Sequence, residues 1–267
     1  MLLASGMAVC WAKDRPQVPR FPRDLAELPL EELMNLEVTL VARKEQRLFE
    51  APSAIYVITR EDIRRSGATS IPELLRMVPG LEVARIDASK WAISARGFNE
   101  QFANKLLVLM DGRSVYTPLF AGVYWDGQDT LLEDLERIEV IRGPAGTLWG
   151  ANAVNGVINI VTKHSRDTPG VLVTAGGGTQ ERGFGGVRYG GKIGTEVFYR
   201  GYIKYFNRDN FVNAFNAAAA DAWHVSRGGF RLDWNLGVRD ALTVQGDMYD
   251  GSAGQTVLLR AFSPPFV

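Results

Sequence analysis

The sequence predicts an α+β domain with a small mixed sheet, followed by the first strands of a truncated antiparallel transmembrane β-barrel. Three observations lead to this fold class. Short helical and strand patterns alternate between residues 51 and 165, and apolar residues recur at every second position after Thr168. In addition, no run approaches the roughly 20 apolar residues that a membrane-spanning helix needs. Any crossing of a membrane would therefore use strands.

The α+β domain is predicted from strand and helix patterns with clear ends. AIYVIT predicts a strand, and REDIRRSG predicts a helix that ends at Gly67. A second helix is predicted in SIPELLRMVPG, with Ser70 as its N-cap and Pro72 in its first turn. LEVARI, KLLVLMDG and RIEVIRG predict three more strands, and LLEDLERI a short helix before the last of them. The unbroken apolar run of KLLVLM indicates a strand that is covered on both faces.

Beyond Thr168 the predicted strands have one apolar and one polar face. The alternation is clearest in TEVFYRGYIKYF, whose two faces are Val197, Tyr199, Gly201, Ile203 and Tyr205, and Phe198, Arg200, Tyr202, Lys204 and Phe206. HVSRGGFRLDWNL and ALTVQGDMYDG repeat the pattern. Strands of about ten residues with this alternation are typical of a barrel with lipid outside and a polar lumen. An antiparallel sandwich with one wet face gives the same pattern and stands as the alternative.

The N-terminal segment MLLASGMAVCWA is apolar and rich in small residues, and the chain becomes polar at Lys13. This pattern indicates the end of a secretory signal peptide cleaved near Ala12, although the basic first region is missing. The alternative is an apolar N-terminus without that role. Four prolines between residues 16 and 29 then predict an extended linker. The expected division is a signal-peptide remnant at 1–12, a periplasmic linker at 13–50, the α+β domain at 51–165 and barrel strands at 166–267.

Composition argues against several classes of function. Thirty Lys and Arg balance 30 Asp and Glu, so the net charge is zero, which argues against a nucleic-acid partner. The one cysteine, Cys10, cannot form an internal disulfide, and His164 and His224 lack the spacing of a metal site. No Ser/His/Asp or Cys/His constellation has a supporting motif. We therefore expect no enzyme activity, no resident metal and no cofactor.

Four segments occur in an order that resembles the plug domain of TonB-dependent outer-membrane receptors. They are APSAIYVITREDIRRSGATSIPELLRMVPGLEV, ISARGF, KLLVLMDGRSVYTPLF and LERIEVIRGPAGTLWGANAVNGVINIVTK, and they cover most of the chain from Ala51 to Lys163. GPAGTLWG alone could suggest a phosphate-binding loop, but it lacks the Gly-Lys-Ser/Thr ending. The resemblance implies a plug inside a barrel of roughly 22 strands, a size class with a plugged lumen.

The resemblance also implies how such a plug is held. Arg96 of ARGF and Arg142 of IRGP match plug arginines that pair, in relatives, with glutamates of the barrel wall. Charged contacts across a wet gap would hold the plug reversibly, without the adhesion of a hydrophobic core. The alternative is pairing inside the domain with Glu136, Glu139 or Asp111.

The segment VTLVA resembles the coupling segment by which this family recruits TonB. It comprises Val38, Thr39, Leu40, Val41 and Ala42. An extended β-branched segment can add a strand to the sheet edge of a partner through backbone hydrogen bonds. The alternative is that VTLVA is simply the first strand of the plug.

Three plug loops are candidates for ligand contact, at residues 87–91, 99–104 and 114–126. The last loop is rich in aromatic residues, which could grip a bulky chelate or macrocycle. The alternative for these rings is packing against the barrel wall. The candidate residues are Asp87, Lys90, Trp91, Asn99, Gln101, Phe102, Tyr116, Phe120, Tyr124 and Trp125.

Together, these expectations describe a receptor in the outer membrane of a Gram-negative bacterium that takes up a bulky, scarce nutrient. The resemblance implies a ferric siderophore as the ligand, with cobalamin, haem or an oligosaccharide as alternatives. It implies TonB, with ExbB and ExbD of the inner membrane, and outer-membrane lipid as partners. The alternative from another class is a periplasmic α+β enzyme or soluble binding protein with a C-terminal β-sandwich. A passive porin would not need a globular N-terminal plug.

Overall fold

A computed structural model describes residues 3–12, 37–38, 46–47, 54–117, 119–213, 215–237 and 240–256. Strand β1 (Leu3–Ala12) is followed by two short strands, β2 (Glu37–Val38) and β3 (Gln46–Arg47), which pair with each other in antiparallel fashion. From residue 54 onwards the protein has two parts. We call the α+β part, residues 54–165, the plug, and the sheet of long strands that follows it the wall.

A five-stranded mixed sheet forms the centre of the plug. In spatial order its strands are β4 (Ile55–Thr59), β9 (Leu135–Arg142), β10 (Gly156–Thr162), β7 (Leu106–Met110) and β8 (Arg113–Ser114). Strands β7 and β10 are parallel, and the other neighbours are antiparallel. A separate hairpin is formed by β5 (Leu81–Arg85) and β6 (Trp91–Ala95). The predicted small mixed sheet is confirmed.

Helix α1 (Arg60–Ser66) begins and ends where the sequence indicates. The hydroxyl of Thr59 accepts a hydrogen bond from the amide of Asp62 at 3.2 Å, and the Asp62 carboxylate accepts one from the Thr59 amide at 2.9 Å. This reciprocal capping box satisfies two amide donors at the start of the helix. Gly67 ends the helix at φ 68°, in the left-handed region that glycine enters without strain.

The other helices of the plug are short. In α2 (Ile71–Leu75), Ser70 takes the predicted N-cap position, but its side chain makes no capping hydrogen bond. The segment predicted as a helix in LLEDLERI forms only a 3-10 turn, Leu132–Asp134, because β9 already begins at residue 135. Helix α3 (Gly146–Trp149) precedes β10. No helix in the described ranges is long and apolar enough to cross a membrane.

Strand β7 is buried on both faces, as its apolar run predicts. Leu106 and Val108 belong to the main core of the plug, whereas Leu107 and Leu109 belong to a second apolar cluster. Successive side chains of a strand point to opposite faces, so one run of leucine and valine serves both clusters. The plug therefore has a core of its own and does not depend on the wall for burial of its central strand.

The wall is a single antiparallel sheet. After a second 3-10 turn, its strands follow in chain order as β11 (Gly170–Gly176), β12 (Glu181–Ile193), β13 (Val197–Arg208), β14 (Trp223–Asn235) and β15 (Ala241–Ala253). The connections after β12 and β14 lie at one end of the wall, which we call the short-turn end. The connections after β11 and β13 lie at the other end, which we call the long-connection end because 14 residues, 209–222, link β13 to β14. Strand β1, within the segment predicted as a signal-peptide remnant, pairs with β15. The described long strands form one sheet with the plug on one face, and not the two packed sheets of a sandwich.

The two faces of the wall differ in the way the alternation predicts. The inward face, toward the plug, carries most of the charged side chains of β12 to β14. The outward face exposes large apolar side chains, namely Val171, Val173, Val187, Tyr189, Ile193, Ile203, Tyr205, Phe230, Trp234 and Met248. This is the distribution of a partial barrel with a polar interior.

The apolar outward face leads to a prediction about solubility. Residues 51–165 expressed alone should be monodisperse in buffer, because the plug has its own core. The whole 267-residue chain should need detergent, because side chains such as Ile203 and the unpaired edge of β11 would otherwise drive association. Size-exclusion chromatography with light scattering measures both. A whole chain that stays monodisperse without detergent would show that the outward face is not a lipid face.

Candidate functional site

Six basic side chains lie together on the inward face of the wall. We call them the cation cluster, and they are Arg188, Arg200, Lys204, Arg208, Arg227 and Arg231. The three on β13 are four residues apart, so the two-residue period of a strand places them on one face. All except Arg231 are more than nine-tenths buried. Arg231 is partly buried.

The pairing of β13 with β14 brings like charges together. Lys204 lies directly opposite Arg227, and Arg200 directly opposite Arg231. Like charges at opposite positions destabilise a sheet, and burial makes each unpaired charge more costly. Carboxylates and carbonyl oxygens must therefore approach this face, and most of those that do belong to the plug.

Asp134 of the plug is the principal counter-ion. Its side chain is fully buried at the junction between the 3-10 turn and β9. One carboxylate oxygen accepts a hydrogen bond from the Arg188 guanidinium, and the other lies 3.7 Å from Nε of Arg200. One plug carboxylate thus neutralises cations from two neighbouring wall strands.

The plug segment just before this turn provides further acceptors. Lys204 Nζ lies 2.7 Å from the carboxylate of Asp129 and donates to the carbonyl oxygen of Thr130 at 2.9 Å. Arg227 donates to the carbonyl oxygen of Gly127 and also binds Asp247 of the wall at 2.9 Å. Residues 127–134 of the plug therefore run along the cation cluster and satisfy it at successive positions.

A third plug carboxylate, Asp111, lies close to the short-turn end of the wall. It accepts hydrogen bonds from the amide and hydroxyl of Thr162 at 2.8 and 2.9 Å, and lies 3.5 Å from Arg231. The Thr162 hydroxyl is also reached by Arg200 at 2.9 Å and by Arg231 at 3.0 Å. The ends of β7 and β10 are thereby fixed to β13 and β14.

The connection from the plug to the wall is anchored by Asp233. Its carboxylate accepts a hydrogen bond from the Ser165 amide at 2.8 Å and lies 3.6 Å from Nδ1 of His164. Burial lowers the pKa of His164, and this effect outweighs the opposing influence of Asp233. Burial likewise lowers the pKa of Lys163. The C-terminal end of the plug is thus fixed to the wall by its covalent connection to β11 and by the buried hydrogen bond between Ser165 and Asp233.

At the other end of the wall, the β5–β6 turn contacts the long connection between β13 and β14. The Ala88 amide donates to the Asp221 carboxylate at 2.8 Å, and Lys90 Nζ binds Asp87 and Gln255 Oε1, each at 2.8 Å. Burial would raise the pKa of Asp87, but hydrogen bonds from Lys90 and Ser89 lower it overall. The predicted candidates Asp87 and Lys90 thus pair with each other near the long-connection end.

The aromatic candidates divide into two groups. Phe102, Phe120 and Tyr124 form a three-ring cluster with centroid separations of 5.2 to 5.6 Å, and half of Phe120 is exposed. Trp91 and Trp125 instead belong to the buried core of the plug. Both side chains are buried, and their contact with a ligand stays a prediction from the sequence.

The remaining polar candidates lie at the margin of these loops. Asn99 is exposed, whereas Gln101 and Tyr116 are partly buried. Asp126 is the last residue of the aromatic loop, and burial raises the pKa of its carboxyl. The structure therefore brings together one aromatic surface and one charged pair, and not a single pocket that contains all ten candidates.

Arg96 and Arg142 bind backbone carbonyl oxygens inside the plug. Arg96 Nη2 donates to the carbonyl oxygen of Arg142 at 2.9 Å, and Arg142 Nη1 donates to that of Pro79 at 2.6 Å. Among the described residues, no carboxylate lies at ion-pair distance from either guanidinium. Glu139, one partner considered from the sequence, pairs with Arg137 at 2.6 Å. Asp111, another, is near Arg231 at 3.5 Å.

The coupling candidate falls almost wholly outside the described residues. Val38 is the second residue of β2. Thr39, Leu40, Val41 and Ala42 lie outside the described ranges. The placement of VTLVA as a coupling segment therefore stays a prediction from the sequence.

The sequence contains a local signal for part of the cation cluster. Arg200, Lys204 and Arg208 recur at a spacing of four on a predicted strand, which is enough to place them on one face. Their partners were harder to find, because Asp129 and Asp134 belong to a loop and a turn without periodicity. Within the described ranges, no group of three or more His, Cys, Asp or Glu side chains could hold a metal ion.

The chain is similar in sequence to known proteins. Residues 47–157 match the family model described as TonB-dependent Receptor Plug Domain. The vitamin B12 transporter BtuB of Vibrio vulnificus is 34% identical over 144 residues, which is 53% of this chain and 23% of the relative. BtuB of Vibrio cholerae is 31% identical over 142 residues, with the same coverage. The chain therefore matches less than a quarter of the length of these curated relatives.

Solved structures share the fold over a larger part of the chain. The ferripyoverdine receptor of the outer membrane of Pseudomonas aeruginosa, bound to ferripyoverdine, gives a TM-score of 0.64 at 20% identity and covers 85% of this chain and 31% of that one. The ferric-catecholate import receptor Fiu from Escherichia coli gives 0.63 at 20% identity, covering 82% and 30%. In these likenesses the plug and the wall strands occur together as one fold.

The position of Asp134 leads to a prediction about stability. Replacement of Asp134 by Ala leaves Arg188 and Arg200 buried without that carboxylate, so unfolding free energy should fall by about 3–5 kcal/mol. Urea unfolding of the whole chain in detergent measures the change. Asp167→Ala is the control, because Asp167 forms an exposed pair with Arg166 at 3.8 Å, and it should cost less than about 1 kcal/mol. Equal midpoints for the two variants would contradict the central role of Asp134.

Proposed function

We propose that this chain is part of a TonB-dependent receptor, in which it supplies the plug and the first wall strands of an outer-membrane transporter for a bulky, scarce nutrient. It acts as a receptor and transporter, and not as an enzyme. Its location is the outer membrane of a Gram-negative bacterium, where the outward face of the wall contacts lipid.

The observation that carries this proposal is the charged and buried contact between plug and wall. Asp134 and Asp129 bind Arg188 and Lys204, whereas the apolar cluster that plug and wall share is small, with Ala88 of the plug against Phe206, Trp223 and Val225 of the wall. Charge pairs fix the position of a docked body, yet each can be exchanged for water or for another partner. This is what a plug that must move during transport requires.

For the cargo, a ferric siderophore is our first assignment. Support comes from the shared fold with receptors whose structures contain ferripyoverdine or are described as ferric-catecholate importers. Cobalamin is the second candidate, because the curated relatives are vitamin B12 transporters. Both cargoes are bulky and present aromatic or macrocyclic surfaces, which an aromatic cluster can contact.

We assign the first contact with the cargo to the three-ring cluster of Phe102, Phe120 and Tyr124. Half of the Phe120 ring is exposed, and the rings support each other at 5.2 to 5.6 Å. The pair Asp87 and Lys90 lies near the long-connection end of the wall and can add polar contacts. In barrels of this kind the longer loops face the outside, so this end is the entrance.

We assign energy coupling to Val38, Thr39, Leu40, Val41 and Ala42. The segment precedes the plug and is rich in β-branched residues, so it can add a strand to the sheet edge of TonB. TonB, with ExbB and ExbD, would transmit work from the inner membrane. Cargo binding at the outer end would then shift the balance of plug conformations toward one that presents this segment.

Two substitutions should separate binding from coupling in a complete receptor that contains this chain. Thr39→Pro removes a backbone N–H and fixes φ, so it should abolish accumulation of cargo and leave surface binding intact. Phe120→Ala removes an exposed ring and should weaken binding itself, by about tenfold if the ring contributes roughly 1.5 kcal/mol. Whole cells are assayed for binding and accumulation of radiolabelled ferric siderophores and cobalamin in parallel.

Leu40→Ala serves as the matched control for the proline variant, because it keeps the backbone donor and should retain accumulation. Normal accumulation in Thr39→Pro would rule out the coupling assignment. Loss of both binding and expression in that variant would favour a structural strand of the plug. Unchanged binding in Phe120→Ala would place the cargo elsewhere.

We also propose that Arg96 and Arg142 dock the other side of the plug to wall strands beyond those described. Arg142 ends β9, whereas Asp134 immediately precedes that strand, so the two lie about 25 Å apart along it. The plug can therefore engage one part of the wall through Asp134 and another through Arg142.

If this docking is right, replacing Arg96 and Arg142 by Ala in the complete receptor should loosen the plug and increase leakage of small solutes. The control is Arg113→Ala, which also removes a guanidinium, here from a partly buried position on the short strand β8. Influx of a small antibiotic into whole cells measures the leak at matched expression. Parent-level permeability in the double variant would show that these residues have no docking role.

A further inference from the structure

The wall supplies its own counter-ions for only half of the cation cluster. Arg208 pairs with Glu181 at 2.9 Å, and Arg227 with Asp247 at 2.9 Å. Arg231 pairs with Asp233 at 3.0 Å. These three cations would keep a carboxylate partner even if the plug moved away.

The other three cations depend on the plug. The carboxylates at ion-pair distance from Arg188, Arg200 and Lys204 are Asp134 and Asp129, both of the plug. Three positive charges of the wall thus face two negative charges of the plug. The described wall strands place no carboxylate within ion-pair distance of these three.

The three plug-dependent cations are neighbours on the wall. Arg188 of β12 is directly opposite Tyr202 of β13, so Arg200 and Lys204 lie at the two diagonal positions. Diagonal neighbours on one face of an antiparallel sheet are about 7–8 Å apart. We call this group of three the track. It follows β13 along the inward face of the wall, beneath the plug.

We propose that the track guides anionic cargo through the lumen once the plug has moved, with acidic groups of the cargo replacing the carboxylates of Asp129 and Asp134. This inference rests on the proposed transport function and narrows its cargo class to one with a net negative charge. A neutral cargo would leave the track unsatisfied during passage.

Electrostatics supports a negative charge on the cargo. Arg200 and Lys204 of β13 lie directly opposite Arg231 and Arg227 of β14. When the plug is withdrawn, its carboxylates no longer offset the repulsion among these cations. The track presents one sign of charge, and a low-dielectric cleft of one sign concentrates the opposite ion by a factor of about 10 to 1,000. An anion would therefore enter faster than a neutral or cationic solute of the same size.

The test uses the complete receptor, reconstituted in liposomes, with the plug carboxylates neutralised by Asp129→Asn and Asp134→Asn. Three probes of nearly equal size are compared, namely gluconate as the anion, glucose as the neutral solute and glucosamine as the cation. We expect gluconate to enter at least about tenfold faster than glucosamine, with glucose between them. Adding Arg200→Gln and Lys204→Gln should remove this preference.

The matched control is Arg182→Gln, which removes one charge from the same strand as Arg188. Its side chain is largely exposed and pairs with Asp209 at 2.6 Å, away from the plug. This variant should keep the preference for gluconate. Heat-modifiable migration on a gel confirms that each variant has assembled a barrel. If the Asn variants do not assemble, the same probes are applied to the parent receptor in urea at a concentration that loosens the plug.

Equal entry of the three probes would contradict the proposed role of the track in guiding anions. A preference for gluconate that survives replacement of Arg200 and Lys204 would contradict it as well. A lumen that stays closed in both the Asn variants and urea would also overturn it. A wrong assignment of the transport function gives a different result. Labelled cargo would then not accumulate in a TonB-dependent way, even if gluconate were preferred. TonB-dependent accumulation without gluconate preference would leave the transport function standing and remove the track alone.

Discussion

Buried positive charge on the inward face of the wall is the constraint on which the rest of the structure depends. A buried cation without a partner costs several kcal/mol, and the cation cluster contains cross-strand pairs of like charge. Residues 127–134 of the plug and Asp111 provide the missing acceptors. The shape of the loop before β9 and the position of its 3-10 turn follow from this requirement as much as from the plug core.

The contacts that keep the plug folded differ in kind from the contacts that bind the plug to the wall. Within the plug, leucine, valine and isoleucine form two apolar clusters on either side of β7, which keep the sheet intact. Between plug and wall, hydrogen bonds and ion pairs to the cation cluster are joined by a small apolar cluster of Ala88 with Phe206, Trp223 and Val225. Apolar burial is not directional and is lost only when water enters, whereas a charge pair can be replaced by another pair. The plug can thus stay folded while its partners change.

The sequence was most informative where one periodicity dominated. The alternation in β13 predicted both faces of the wall, and the run in β7 predicted a strand buried on both sides. It was least informative where a residue's surroundings come from distant parts of the chain. Trp91 and Trp125 occur in loop-like segments, yet both are core residues. Asp134 lies in a segment with a helical pattern, and its two cationic partners follow more than 50 residues later. Neither fact has a local signature.

The pairing of like charges across β13 and β14 also bears on the order of folding. Strands that meet with Lys204 against Arg227 and Arg200 against Arg231 repel each other until carboxylates arrive between them. The plug comes first along the chain and has a core of its own, so it can be formed before these strands associate. It then acts as a template on which the wall assembles. A hairpin that closes prematurely, without the plug in place, is disfavoured by its own charges.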